Sequence, residues 1–479
     1  MKKYSILILA LISSIILVSC DDDTNAQKPK PGPSGASKTI KANEFVFSIM
    51  DTYYLYNEGI SDDKGYPIID YTKETDTEEY FEKLKDERDI FSFITDDAEE
   101  YNKEESGIMT DMGWKVTLMY GDSEKKSVMA AVNYVYEGTP AYEAGVRRGD
   151  YVVKINGQQM TPSNYRDVWN KDGQYTLYRF DAEEKREIIT CDLKSREINT
   201  SPIAEAHIFT LDDGMKVGYL LYMDFKDKFN EELLEVFETF NTEGVSKLIL
   251  DLRYNPGGAM LACSQLTSLI APIDVVKSKK QIIHYQYNDN LQKELGVDES
   301  TFVNNAEVLG ANLNLKDIVI IQGSGTYSAS EATIIGLKPY MNVYTIGSTS
   351  GGKNTAMFIL TPDMFENRLG EPIFDKSINN WLIAPLVAFY YNSENYTFDT
   401  TDGDGMDPDY VYNEFDDLYR APLGKPEEKL TSLALEYIKN GQIAANKSVR
   451  IAPFGKVIPA EKYCKIEPLK AEPRVDLFK

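Results

Sequence analysis

Apolar and aromatic residues recur at three- and four-residue steps between Ile40 and about Tyr101, with Phe45, Val46, Ile49, Met50, Tyr53 and Tyr54 as the clearest series. That period predicts amphipathic helices with one buried stripe. Glu78-Glu79-Tyr80-Phe81-Glu82-Lys83-Leu84 continues it before Asp96 and Asp97 break it. Residues 39–104 are therefore expected to form a small helical N-terminal domain whose aromatic stripe is core. From about Gly107 to Ile198 the pattern changes to short strand-like runs between polar turns, such as Val116-Thr117-Leu118-Met119 and Val128-Met129-Ala130-Ala131-Val132, and predicts a β domain over 105–200. Beyond Met215 strand-like and helix-like runs alternate: strands at 217–222, 247–252, 317–322 and 343–346, helices at 230–240 and 328–337. Alternation of this kind predicts an α/β core, taken as residues 201–425 and followed by a C-terminal helix and tail over 426–479. The whole is expected to be a multidomain α+β chain, as its 479 residues already suggest.

The N-terminus has a different character. Lys2 and Lys3 precede an apolar run over residues 4–18 that meets Leu17-Val18-Ser19-Cys20. The run is short for a membrane-spanning helix and reads as an export signal over residues 1–20. Its end resembles a bacterial lipobox, which implies cleavage before Cys20 and a lipid on that cysteine. Residues 21–38, rich in Asp, Lys, Pro, Gly and Ser, cannot bury enough apolar area to offset ordering and read as a tether. Asp21-Asp22-Asp23 resembles lipoprotein sorting signals of some Gram-negative bacteria, which implies the cell envelope and an outer-membrane anchor.

Within the β region, Glu137-Gly138-Thr139-Pro140-Ala141-Tyr142-Glu143-Ala144-Gly145-Val146-Arg147-Arg148-Gly149-Asp150 leads into Tyr151-Val152-Val153-Lys154-Ile155-Asn156-Gly157. This is similar to the PDZ pattern of a short helix, a Gly-Asp turn and a strand ending in Asn-Gly. PDZ domains bind extended peptides by adding a strand to a sheet edge and catching a terminal carboxylate on backbone N–H groups. The resemblance implies that Met112, Gly113 and Trp114 lie near that carboxylate loop.

Composition narrows the chemistry. Seventy-six acidic against 51 basic residues, a formal charge of −25, argue against nucleic acid as partner. Besides Cys20, the cysteines are Cys191, Cys263 and Cys464, with no zinc or disulfide framework in their spacing. The two histidines, His207 and His284, sit in β-like alternation and outside any recognisable catalytic motif, which leaves a Ser-His-Asp hydrolase few candidates. A serine served by another base remains. Gly325-Thr326-Tyr327-Ser328-Ala329-Ser330-Glu331 follows a buried strand and opens a helix, where N–H groups and positive potential await an oxyanion. The same placement suits plain helix caps at Ser328 and Ser330.

Ser-Ala-Ser-Glu, the later Gly351-Gly352-Lys353 and the earlier Leu252-Arg253-Tyr254-Asn255-Pro256-Gly257-Gly258 together resemble the carboxyl-terminal processing peptidases. The resemblance runs from about Ile40 to Leu435. In that family the first serine of the motif is the nucleophile and a lysine twenty-five positions later its base, the separation of Ser328 and Lys353 here. It implies a ClpP/crotonase-like peptidase core and oxyanion donors from Ala329 and from Gly257 or Gly258. It also implies protein or peptide substrates, with no metal or organic cofactor. An ordinary lysine is protonated at neutral pH, so the role requires burial to favour the neutral amine. Gly405-Met406-Asp407-Pro408-Asp409 resembles the family's closing element, and Asp402-Gly403-Asp404-Gly405 reads as a polar turn in preference to a calcium loop. Two departures stand out: Met357 replaces a Gln common four residues after the lysine, and Asn354 replaces the Gly that follows it. They keep open a peptide-binding lipoprotein without turnover; a carbohydrate-binding lipoprotein would explain none of the three motifs.

Overall fold

The computed structural model describes residues 37–122, 124–367, 369–400 and 405–444. The signal segment, Cys20, nearly all of the tether, Asp402 to Asp404, Cys464 and the tail from residue 445 lie outside the described residues. No helix among those described is long and apolar enough to cross a membrane.

Two compact units emerge. The first joins the chain up to Lys103 with His284–Glu299 and Thr355–Tyr391. Helix α1 (Lys38–Tyr53) starts where the Ser37 hydroxyl accepts the Ile40 N–H, and α2 (Thr77–Leu84) where Asp76 accepts that of Glu79. The sequence-predicted stripe is buried in full: Phe45, Val46, Ile49, Met50, Tyr53 and Tyr54 pack with Tyr80, Phe81 and Leu84. Their cluster is completed by Tyr287, Leu291, Phe365, Ile383, Leu386, Val387 and Ala388 from far along the chain. The unit is thus wider than residues 39–104, and residues 201–425 are interrupted to supply it. Two short helices leave much of their apolar face uncovered, and strand Leu386–Asn392 provides the missing surface.

The second unit comprises Glu104–Ile283, Ser300–Asn354 and the chain from Asn392. Its first part is an antiparallel sheet of β1 (Trp114–Tyr120), β2 (Val128–Val135), β3 (Tyr151–Ile155), β4 (Gly173–Phe180) and β5 (Arg186–Leu193), in that spatial order. Helix Pro140–Glu143 begins with proline at its first turn, and Asn156-Gly157 makes the turn after β3 with φ of +52° and +75°.

A six-stranded sheet follows, ordered β6 (Ile203–Thr210), β7 (Lys216–Tyr222), β8 (Lys247–Asp251), β9 (Asp317–Gln322), β10 (Asn342–Gly347) and β11 (Tyr410–Val411). Only β6 runs antiparallel to its neighbour. The apolar runs of β8 and β9 are covered on both faces, as parallel strands require. Val217, Tyr219, Ile249, Val319 and Ile321 meet Leu430, Leu433 and Ala434 of a C-terminal helix (Lys429–Asn440). On the opposite face Gly218 lies against Phe240 of helix α3 (Asn230–Thr242). His207 stacks on Tyr219, half-buried in β6.

Candidate functional site

Three adjacent parallel strands end at one edge of this sheet, and the loops leaving β8, β9 and β10 carry the three motifs. Open α/β sheets present ligands at such carboxyl ends.

The loop after β9 turns sharply at Ser328, which caps helix α4 (Ala329–Leu337) with φ +51° and ψ −115°. A serine seldom adopts these angles, and the surroundings must hold it there. Its N–H donates to Glu331 Oε2 at 2.9 Å, its carbonyl accepts the Ala332 N–H, and the preceding Tyr327 N–H donates to the Asn255 carbonyl. Ser330, the second serine of the motif, donates its hydroxyl to that same carbonyl at 3.0 Å and is fully buried.

The loop after β10 brings Lys353 to the same carboxylate. Lys353 N–H donates to Glu331 Oε2 and Gly352 N–H to Oε1, each at 2.9 Å, and the Ser350 hydroxyl reaches Oε1 at 2.6 Å. One oxygen, Oε2, therefore receives the backbone N–H groups of both Ser328 and Lys353. Lys353 is 8% exposed. Gly351 donates to Thr326 O, and a Cβ on it would fall 2.0 Å from the Tyr327 ring, so only glycine lets this loop lie against the Ser328 turn. Gly405-Met406 closes the loop: Met406 N–H donates to Ser350 Oγ, and the Met406 carbonyl accepts Gln322 Nε2. Asn354 donates to the Phe398 carbonyl at 2.9 Å. Met357 packs beside Ala98, Leu382 and Ala384 in the first unit.

The loop after β8 completes the group. Gly257, at φ +104°, lies so close that a Cβ there would sit 2.8 Å from Ser328 Cβ and 2.9 Å from Ala329 N. Its own N–H donates to Asn255 Oδ1 at 2.9 Å. Gly258 lies instead against Phe225 O and the Asp224 carboxylate. The loop is anchored by Arg253, 2% exposed, which pairs with Asp251 at 2.8 Å and grips Glu428 through both guanidinium nitrogens at 2.8 and 3.0 Å.

Electrostatics follow burial and pairing. Burial pushes the Glu331 carboxyl up to about 7 against the pull of its hydrogen bonds. Burial raises Glu428 too, but Arg253 and Arg148 outweigh it and hold that carboxyl at about 2.

Of the residues singled out in the sequence, Ser328, Lys353, Gly257 and Ala329 are gathered in one place, with Gly258 next in the chain. Met112, Gly113 and Trp114 lie at the start of β1; Met112 and Trp114 point into that sheet's core, with Trp114 stacked on Trp169. Sequence reasoning missed Glu331, Asn255 and the partners of Arg253. Serine followed three residues later by glutamate is a capping-box spacing and could have flagged Glu331; nothing local announces the others.

Family models match over much of the chain. Residues 41–93 match the peptidase S41 N-terminal domain, 131–168 a PDZ domain, and 216–411 peptidase family S41. The carboxy-terminal processing protease CtpA of Bacillus subtilis (strain 168) is 22% identical over 74% of this chain and 68% of its own. A probable CtpA-like serine protease of Staphylococcus aureus (strain bovine RF122 / ET3-1) is 24% identical over 73% of this chain. The chain spans 62% of that relative's length, under two thirds. A crystal structure from Bacteroides fragilis NCTC 9343, assigned to the S41 proteases, matches 83% of this chain and 97% of its own with a TM-score of 0.63 at 25% identity. With three family models matched in sequence order and a mixed α/β fold shared with such a structure, residues 216–411 are a peptidase family S41 domain, preceded by a PDZ domain and by the N-terminal domain of that family.

Proposed function

We propose that this protein is a serine endopeptidase of the carboxyl-terminal processing type, acting with a Ser328–Lys353 dyad on exported proteins or peptides. The observation that carries the reading is the shared Glu331 oxygen, which fixes the backbone of nucleophile and base candidates from two separate loops. Ser328 Oγ attacks the peptide carbonyl while Lys353 Nζ takes its proton. The C–N bond breaks, the proton passes to the leaving amine, and water hydrolyses the acyl-enzyme by the same relay. The oxyanion forms beside Ala329 N at the helix start, where backbone donors act without reorganisation. The Gly257 N–H contributes once it leaves Asn255 Oδ1, and Gly258 is the alternative donor. The PDZ domain would hold an extended part of the substrate by strand addition. Lipid on Cys20 would anchor the protein in the cell envelope, most simply at an outer membrane; a Cys20→Ala variant is then recovered in the soluble fraction.

A competing reading, a peptide-binding protein without turnover, draws on Met357 and on the Gly257 N–H already bonded within its loop. One experiment separates the two. Cleavage of an unfolded protein by the body after Lys38 is compared with Ser328→Ala and Lys353→Ala. The peptidase reading expects both variants to lose at least about 10³-fold; equal residual cleavage in all three removes it.

A further inference from the structure

We infer that the PDZ domain of this chain docks extended peptide segments without capturing a free terminal carboxylate, because its own Asp111 carboxylate fills the backbone nest that would receive one. This rests on the peptide-docking role proposed above and narrows its substrate class to segments recognised without a free C-terminus.

Among the described residues, strand β1 is the outer strand of its sheet and pairs only with β2, so its other side offers backbone groups to an added strand. Val116 and Leu118 on β1 stay half-buried beside the Trp114 cluster, as side chains facing an incoming strand would. A terminal carboxylate would be held by successive N–H groups where this strand begins. There, Gly113 takes φ +84°, and a Cβ on it would overlap Thr139, so the turn is closely fixed. Its N–H donates to Asp111 Oδ1 at 2.6 Å. Burial raises the pKa of this carboxyl, while the Gly113 and Trp114 N–H groups and the Asn170 side chain favour its ionised form. Asp111 is 7% exposed, so its carboxyl group sits inside the nest. A second carboxylate would face the first and compete for the same donors.

The neighbouring cation, Lys115, alternates to the other face of β1 from Trp114, and its strongest charge partner is Asp224.

The test uses the full chain carrying Ser328→Ala, so that nothing is cleaved and the peptidase reading does not enter the readout. Two fluorescent, apolar extended peptides of identical sequence are titrated, one ending in a free carboxylate and one in a carboxamide. The expected result is a preference for the acid form below about threefold, whether binding is tight or weak. Adding Asp111→Gly empties the nest, and the acid form then tightens by about threefold or more while the amide form is unchanged. Asp111→Asn, which keeps an acceptor for Gly113 but removes the charge, gives a smaller shift in the same direction and serves should the glycine variant misfold. The inference is overturned by an acid preference of about threefold or more with Asp111 in place. It is equally overturned if neither substitution moves the ratio, or if no variant binds either peptide. Loss of cleavage in the native enzyme would leave these ratios readable.

Discussion

Glu331 has two carboxylate oxygens, and four donors from two loops converge on them. Replacing it with Gln removes one acceptor oxygen and points an NH2 group at donors, so at least one loop must shift. Reacting groups displaced by about 1 Å lose on the order of 10²-fold in rate, and Glu331→Gln is expected to lower kcat by that factor with KM little changed. The carboxyl, pushed by burial to about 7, also predicts two opposite pH effects. Activity should rise as pH passes through about 7, because only the ionised form accepts from all four donors. Stability runs the other way. The folded value lies above the ordinary 4.5, so the protonated group favours the folded state. That contribution is fully present below 4.5 and lost as pH rises through 7, roughly 3 kcal/mol in all. Thermal melts should show wild type losing ground to Glu331→Gln over this window; a constant difference would assign the carboxyl an unperturbed titration.

At the scale of elements, the sequence was legible wherever a pattern is local. Strands β8 and β9 announce themselves as continuous apolar runs, and helix α4 begins within a residue of the expected position because its start is marked by a Ser-x-x-Glu spacing. Arg253 and Glu428 stand 175 positions apart, so no local pattern could pair them. Asn255, whose side chain donates to Tyr222 O and accepts from Gly257, reads in sequence as one more loop residue. The buried network also sets the acid limit of the fold. Glu414 and Glu428 are held at about 2, below the ordinary 4.5, so the stability they add is present above 4.5 and lost as pH falls towards 2. Glu428→Gln leaves Arg253 with a weaker partner in the interior and should cost about 3–5 kcal/mol, the usual effect of breaking a buried pair from one side. Urea titration checks this, and the variant should show a shallower loss of stability between pH 4.5 and 2 than wild type.

For the molecule as a whole, chain order and compact units disagree, and the disagreement has a measurable consequence. The cluster of Met112, Trp114, Val128, Val152, Tyr175 and Leu193 is drawn wholly from the segment expected to be the β domain. The cluster around Phe45, Met50 and Phe81 is not, since Tyr287, Leu291, Ile383, Leu386 and Val387 close it. Periodicity reveals that α1 and α2 have an apolar face but carries no information on which distant strand covers it. Each fully buried side chain of this size contributes about 1.5–3 kcal/mol, and a 39–104 fragment forfeits several of them while still ordering its backbone. Such a fragment is expected to be largely unfolded, with little helical circular dichroism and no cooperative melt. A 105–200 fragment keeps its core and both strands of the Ile108–Asp111 and Arg196–Asn199 pair. It should fold alone and melt in one transition. If the helical fragment also melted cooperatively, its aromatic stripe would need a second way of closing on itself, and the distant strand would be cover for a domain already formed rather than part of its core.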